Sequence, residues 1–192
     1  MFNQLIKHWF PLAIAGTIAM FAIYAAVQQN YRQSANDPQI SMAEDGAAAL
    51  AASSTPIMVA GTAHVNMSKS LTPFTIVYDD SGKVLASSGY LAGEVPLLPA
   101  GVLDYTRANV SDRITWQPAS TTRLAAIVRH YDGSSSGFIV VARNLRETEA
   151  RVRQLTLMLG TALVALLILT LIISAYSAAS DLRKKEIEDL LK

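Results

Sequence analysis

The sequence predicts an α+β membrane protein: two transmembrane helices flank an antiparallel sheet domain, which opens with a helix and closes with a long helix continuous with the second span. Three observations predict it. Residues 9–27 and 155–176 hold no charged side chain, although the 192-residue chain has 31 of them. Residues 74–142 carry β-branched and aromatic runs broken by Asp, Ser and Gly turns, which is a strand signature. Residues 38–51, and again the stretch from 145 onward, place apolar side chains at helical spacing.

The bulk composition is an average over two materials. It is 51% apolar and 16% charged with mean hydropathy +0.28, too apolar for one soluble domain. Outside the two uncharged stretches, about one residue in five is charged, an ordinary globular proportion. The middle segment, 28–154, holds 11 basic and 11 acidic residues. A disordered chain, a transporter with many spans and a strongly basic nucleic-acid binder are thereby excluded.

Crossing about 30 Å of hydrocarbon takes about 20 apolar residues in a helix, which satisfies its own backbone in lipid. Both stretches are long enough. The first is read as an uncleaved anchor rather than a signal peptide, whose apolar region runs about 7–15 residues. Pro11 is expected in its first turn, and Trp9, Tyr24 and Tyr31 at the membrane interfaces. Small residues at Ala15/Ala19, Ala22/Ala26 and Thr161/Ala165 would allow close helix approach. The absence of carboxylates, histidines and basic residues from the spans leaves no candidate for an intramembrane proton or ion pathway.

Five basic residues flank the outer side of the spans (Lys7, Arg183, Lys184, Lys185, Lys192) and five the inner (Arg32, Arg143, Arg146, Arg151, Arg153). That balance does not orient the chain. Lys7 and the amino group before the first span, and the length of the middle segment, favour cytoplasmic termini. The expected organisation is a cytoplasmic tail at 1–8, spans at 9–27 and 155–176, an extracytoplasmic domain at 28–154, and a cytoplasmic amphipathic tail at 177–192. Absence of cysteine removes disulfides and thiol chemistry without revealing the compartment.

Asn36 or Asp37 can cap a helix beginning at Pro38 and burying Ile40, Ala43, Ala47 and Leu50. Residues 55–72 read as a linker or an irregular entry into the core. Residues 74–78 and 83–87 form the best hairpin, around the turn Asp79-Asp-Ser-Gly82. Residues 89–101 read as loop, and 113–117, 122–131 and 137–142 as three more strands. Asn144 can cap the closing helix, with Glu147 three residues on, and Leu145, Thr148, Val152 and Leu155 begin its apolar stripe. Ser180 can cap a separate tail helix stabilised by the pairs Asp181/Lys185, Lys184/Glu188 and Lys185/Asp189.

The run Phe74-Thr-Ile-Val-Tyr-Asp-Asp-Ser-Gly-Lys-Val-Leu-Ala-Ser-Ser88, the later Gly137-Phe-Ile-Val-Val-Ala-Arg143 and the following Leu-Arg-Glu helix resemble the Cache and PAS-like extracytoplasmic sensing domains of bacterial sensor histidine kinases and chemoreceptors. The resemblance covers residues 36–153 and the flanking spans. It implies a five-stranded sheet between a first helix from the membrane and a last helix back into it, with a ligand on the sheet face. It also implies a bacterial inner or plasma membrane location. The sixteen residues after the second span are too few for an output module, so signalling through a partner, or loss of that module, is expected.

Catalysis finds little support. His8, His64 and His130 lack metal-ligand spacing, and Asp79 and Asp80 are accounted for by their turn. The serines at 53–54, 87–88 and 134–136 lack a nucleophile elbow, and no phosphate-cradling loop occurs. No catalytic, cofactor-binding or metal-binding residue is expected. Alternation along 122–131 puts Arg123, Ala125, Ile127, Arg129 and Tyr131 on one strand face. Arg123, Arg129 and Tyr131 could grip a carboxylate ligand, with Trp116 as core or as a pocket wall; the other reading is a solvated face. The expected partners are the lipid bilayer, a small anionic ligand, a cytoplasmic or membrane signalling protein and a second copy in a homodimer, with no nucleic acid. The expected function is a non-enzymatic sensory or regulatory module; the alternative is an accessory scaffold subunit of a larger membrane complex.

Overall fold

The computed structural model describes residues 2–34 and 37–191. Contacts divide the chain into two units, 1–30 with 151–192, and 31–150. The expected caps at Asn36 and at the Asp37 side chain lie outside the described residues, as do the tail pairs involving Lys185, Glu188 and Asp189.

The first unit holds most of α1 (Phe2–Ser34) and of α5 (Arg146–Leu190), both long and apolar enough to cross a membrane. They run antiparallel: Trp9 Nε1 donates to Leu167 O (3.3 Å) and Thr170 Oγ1 (3.2 Å), while Thr156 Oγ1 donates to Tyr24 Oη (3.4 Å). Gly16 marks the close approach, since a Cβ there would lie 2.7 Å from Leu166 Cδ2. Ala13, rather than the exposed Ala15, Ala19, Ala22 and Ala26, is buried in this contact unit, and Thr161 and Ala165 are exposed. Pro11 lies inside α1 rather than in its first turn, because the helix already includes the polar residues before the span. α5 runs unbroken through Ser180, whose hydroxyl donates back to Ser177 O instead of starting a new helix.

The second unit is a five-stranded antiparallel sheet with helices on both faces. In chain order its elements are α2 (Asp37–Ala51), α3 (Pro56–Ala60), β1 (Val65–Asn66), β2 (Phe74–Asp79), β3 (Val84–Ser87), β4 (Gly89–Tyr90), α4 (Val102–Asn109), β5 (Ser111–Ala119), β6 (Thr122–Tyr131) and β7 (Gly137–Asn144). The sheet order is β3-β2-β7-β6-β5, so the last strand lies at the centre. β1 and β4 make a separate parallel pair. Of the two readings of residues 55–72, entry into the core fits and a linker does not: Val65 and Met67 are buried, and α3 and β1 fall within the segment. The 89–101 loop begins with β4 and leads into α4, a helix that the sequence reading does not predict.

Opposite faces of the sheet build two cores. On one, Ala43, Ala47 and Leu50 of α2 and Ala60 of α3 pack on Val77, Ile127, Tyr131, Ile139 and Val141. On the other, Phe74, Tyr78, Trp116, Leu124, Val128, Phe138 and Val140 are covered partly by Leu98, Val102 and Leu103. Burial on both sides explains the near-continuous apolar runs of β2, β6 and β7, since a half-exposed strand would alternate.

Candidate functional site

The site grows from the β2–β3 turn. Asp79 Oδ1 accepts from Ser81 N (2.9 Å), Ser81 Oγ (2.6 Å) and Lys83 N (2.9 Å), while Gly82 takes φ +84°. The hydroxyl of Ser81 foremost, and then the Lys83 amide, hold the Asp79 carboxyl below the usual carboxylate range. With Asp79 bound into the turn, Asp80 is free to face the other way.

α4 supplies the opposite wall. Gly101 enters it at φ +81°, a conformation other residues resist, and Thr106 Oγ1 donates to Val102 O (2.8 Å). Arg107, in its last turn, donates from Nη1 to Asp104 Oδ1 (3.1 Å) and from Nη2 to Asp80 O (2.7 Å) and Asp80 Oδ1 (3.4 Å). Its guanidinium carbon lies 5.0 Å from the Phe138 ring centre, a cation–π contact that anchors α4 to β7. The chain leaves α4 through Val110 at φ +68°, a strained conformation for a β-branched residue; its carbonyl accepts from His130 N (2.9 Å).

Turn, helix and the 97–101 loop enclose a cleft of about 290 Å³ lined by Tyr78, Asp80, Leu97, Leu103, Asp104 and Arg107 among others. Tyr78 is 2% exposed and its hydroxyl has no hydrogen-bond partner among the described residues. Burial raises its pKa far above the ordinary tyrosine value. A phenol is both donor and acceptor, so Tyr78 carries an unused hydrogen-bonding group sealed in the wall of the cleft.

Beside the cleft, Ser136, His130 and Asp80 come together: Ser136 Oγ is 3.3 Å from His130 Nε2 and 3.5 Å from Asp80 Oδ1, and Nε2 is 3.6 Å from the same carboxylate oxygen. This is not a relay. In a nucleophilic triad the acid and the serine address different imidazole nitrogens, whereas here both address Nε2. No group of three or more metal-ligating side chains occurs among the described residues.

The residues selected from sequence lie elsewhere. Arg123, Arg129 and Tyr131 do share one face of β6, the one covered by α2, while Trp116 is buried on the other. Arg123 and Arg129 are six residues apart, about 20 Å along a strand, so no small carboxylate reaches both. Each arginine already has a carboxylate: Arg123 Nη1 lies 2.7 Å from Glu149 Oε1, and Arg129 Nη1 lies 3.3 Å from Glu44 Oε1. Tyr131 is 4% exposed, donates to Tyr78 O (3.4 Å), and has its pKa raised, first by burial. The four residues therefore do not form one site. Tyr78, Asp80, Asp104 and Arg107 do, and the signal for them was the i,i+3 pair Asp104/Arg107 following Gly101.

A second arrangement joins β7 to α5. Asn144, 6% exposed, donates from Nδ2 to Met67 O (2.7 Å) and Ser68 O (3.4 Å), and its Oδ1 accepts from Arg146 N (2.8 Å) as the helix cap. Arg143 Nε donates to Leu71 O (2.9 Å) and Arg146 Nη2 to Lys69 O (3.0 Å). The Arg123–Glu149 pair ties β6 to the first turn of α5. Comparison with known protein families, with curated proteins and with solved structures gives no match for this chain.

Proposed function

We propose that this is a two-pass sensory or regulatory protein of a bacterial inner membrane. Both termini are cytoplasmic, and a Cache/PAS-like domain outside binds a small molecule in the Tyr78 cleft. The protein works as a homodimer and signals, through a partner, by movement of α5. It performs no chemistry on what it binds. Support for the family reading is the five-stranded antiparallel sheet between an entering and a leaving helix, the arrangement its hairpin motif implies.

One observation carries the signalling part. The central strand β7 supports Arg107 of the cleft through Phe138 and, six residues later, leads through the Asn144 junction into the helix bearing the second apolar stretch. A ligand that repositions α4 and the β2–β3 turn acts on β7, whose far end is fastened to α5 rather than loosely linked.

Single cysteines introduced at Ser135 and Ser180 test the topology, because the natural chain has none to interfere. External labelling of intact cells should mark Ser135 and spare Ser180; the reverse excludes an external sensor. Mild-detergent pull-downs with and without residues 177–192 test the output. A cytoplasmic regulator lost with the tail supports sensing, whereas a stoichiometric integral partner that ignores the tail supports a scaffold.

A further inference from the structure

We infer that the cleft selects a small organic ammonium ion with an apolar body, rather than an anion. The inference rests on the reading of the cleft as the ligand site and adds the class of ligand.

The charge balance within the cleft comes first. Its lining holds two carboxylates, Asp80 and Asp104, and one cation, Arg107. That cation is already engaged by Asp104 Oδ1, by Asp80 O and Oδ1, and by the Phe138 ring. A ligand therefore meets surplus negative charge and no unengaged cation in the lining. An incoming carboxylate would have to displace one of the resident ones, while an ammonium offers three donors to oxygens that have only acceptors.

The buried hydroxyl is a second, independent observation. Tyr78 lines the same cleft, is almost wholly buried, and leaves its Oη unpaired among the described residues. Few buried polar groups in folded proteins go without a partner. The Tyr78 oxygen has almost no accessible surface, so a polar head reaches it only where the 97–101 loop gives way, and the phenol then gains the partner it lacks. Leu97, Leu98, Pro99 and Leu103 form the apolar remainder, and Leu97 is 86% exposed, a large side chain left without a covering neighbour. A volume of about 290 Å³ is at the small end of ligand pockets, so the body is the size of one ring.

The test uses the full chain in lipid nanodiscs and three probes alike in their ring: benzylammonium, benzyl alcohol and phenylacetate, titrated by ligand-observed NMR. Benzylammonium should bind with a Kd of roughly 1 mM or tighter, at least tenfold tighter than the other two. Asp104→Asn should weaken it about three- to fivefold, the value of an exposed ion pair. Asp104 is the outer carboxylate, exposed enough that the change leaves folding intact. Absence of benzylammonium binding, or equal or tighter binding of phenylacetate or the alcohol, overturns the ammonium assignment. The cleft reading fails separately if binding of any probe is unchanged in Ala100→Trp, which fills the cleft from its exposed loop.

Discussion

Removing one oxygen from Tyr78 should make the protein more stable. The Tyr78 hydroxyl is buried without a partner, so the folded state carries its desolvation with no hydrogen bond in return. Such a group costs about 1–3 kcal/mol, and Tyr78→Phe takes away only the oxygen, leaving the ring packed against its core neighbours. A gain of about 1–2 kcal/mol is expected, which for a domain of this size raises Tm by roughly 3–8 °C. Tyr131→Phe is the matched control with the opposite sign. Its hydroxyl donates to Tyr78 O at 3.4 Å, so deletion should lower stability by about 0.5–1 kcal/mol. Thermal unfolding of the full chain in detergent, followed by near-UV dichroism of the buried aromatics, measures both. A Tyr78→Phe protein that melts at or below wild type would refute the argument, because the hydroxyl would then have a partner.

The same hydroxyl gives an alkaline signature. Burial raises its folded pKa, so the stability linked to its protonation is complete below the unfolded value of about 10 and is lost as pH climbs through the folded one. Wild type should lose up to about 1.4 kcal/mol per pH unit above pH 10 from this group, and Tyr78→Phe should lack that share. The stabilised variant should also bind benzylammonium more weakly, since the unpaired oxygen is what the ligand is proposed to use.

Three further outcomes follow from the geometry. Asn144→Ala removes the α5 cap and strands the carbonyl of the buried Met67, so a loss of about 2–4 kcal/mol is expected by the same melts, and Asn144→Asp should not rescue it at neutral pH, because it keeps the bond from Arg146 N but turns a carboxylate oxygen toward Met67 O and Ser68 O. Arg123→Gln combined with Arg129→Gln breaks two partly exposed ion pairs, which should lower stability by less than about 1 kcal/mol each and leave benzylammonium affinity within twofold in the NMR titration. Asp79→Asn should be less stable than wild type near neutrality. Because the Asp79 pKa is depressed on folding, the advantage of wild type is complete above about pH 4 and should vanish as pH falls through the folded value in acid-side melts.

Elements with a strong local signal were legible in the sequence, and contacts between distant segments were not. The uncharged runs, the Asp79–Gly82 hairpin, the Ala43/Ala47/Leu50 face of α2 and the Asn144 cap all follow from spacing over a few residues. α4 escaped because it has only two turns and a weak apolar face, with Tyr105 exposed and Thr106 its one fully buried side chain. Alternation correctly put Arg123, Arg129 and Tyr131 on one face, but their value as a site depended on partners 85 and 26 residues away, Glu44 and Glu149. Trp116 fell on the opposite face because β5 pairs it with Leu124, a register that its own residues do not reveal. Tyr78 read as an ordinary core aromatic, and only three-dimensional packing distinguishes a satisfied phenol from an orphaned one.

The two faces of the sheet consequently divide the labour. The α2 face is closed by Ala43, Ala47 and Leu50, and its arginines are neutralised within the chain, which suits a structural backing. The opposite face holds the cleft at one end of β7 and the Asn144 junction at the other. Phe138, Val140, Ala142 and Asn144 are alternate residues of that strand, so they share this face over about 20 Å. Each of the first three is fully buried, which leaves little room to absorb a displacement locally. Motion imposed on Phe138 by Arg107 would then reach Asn144 along a packed line before it met a flexible joint, and Asn144 holds both the helix cap and the Met67 carbonyl. The α2 face has its own tie to the helix, the Arg123–Glu149 pair, but that is a half-exposed ion pair rather than a line of buried packing. The proposed route from the cleft to α5 thus differs from the arginine face in running through fully buried side chains.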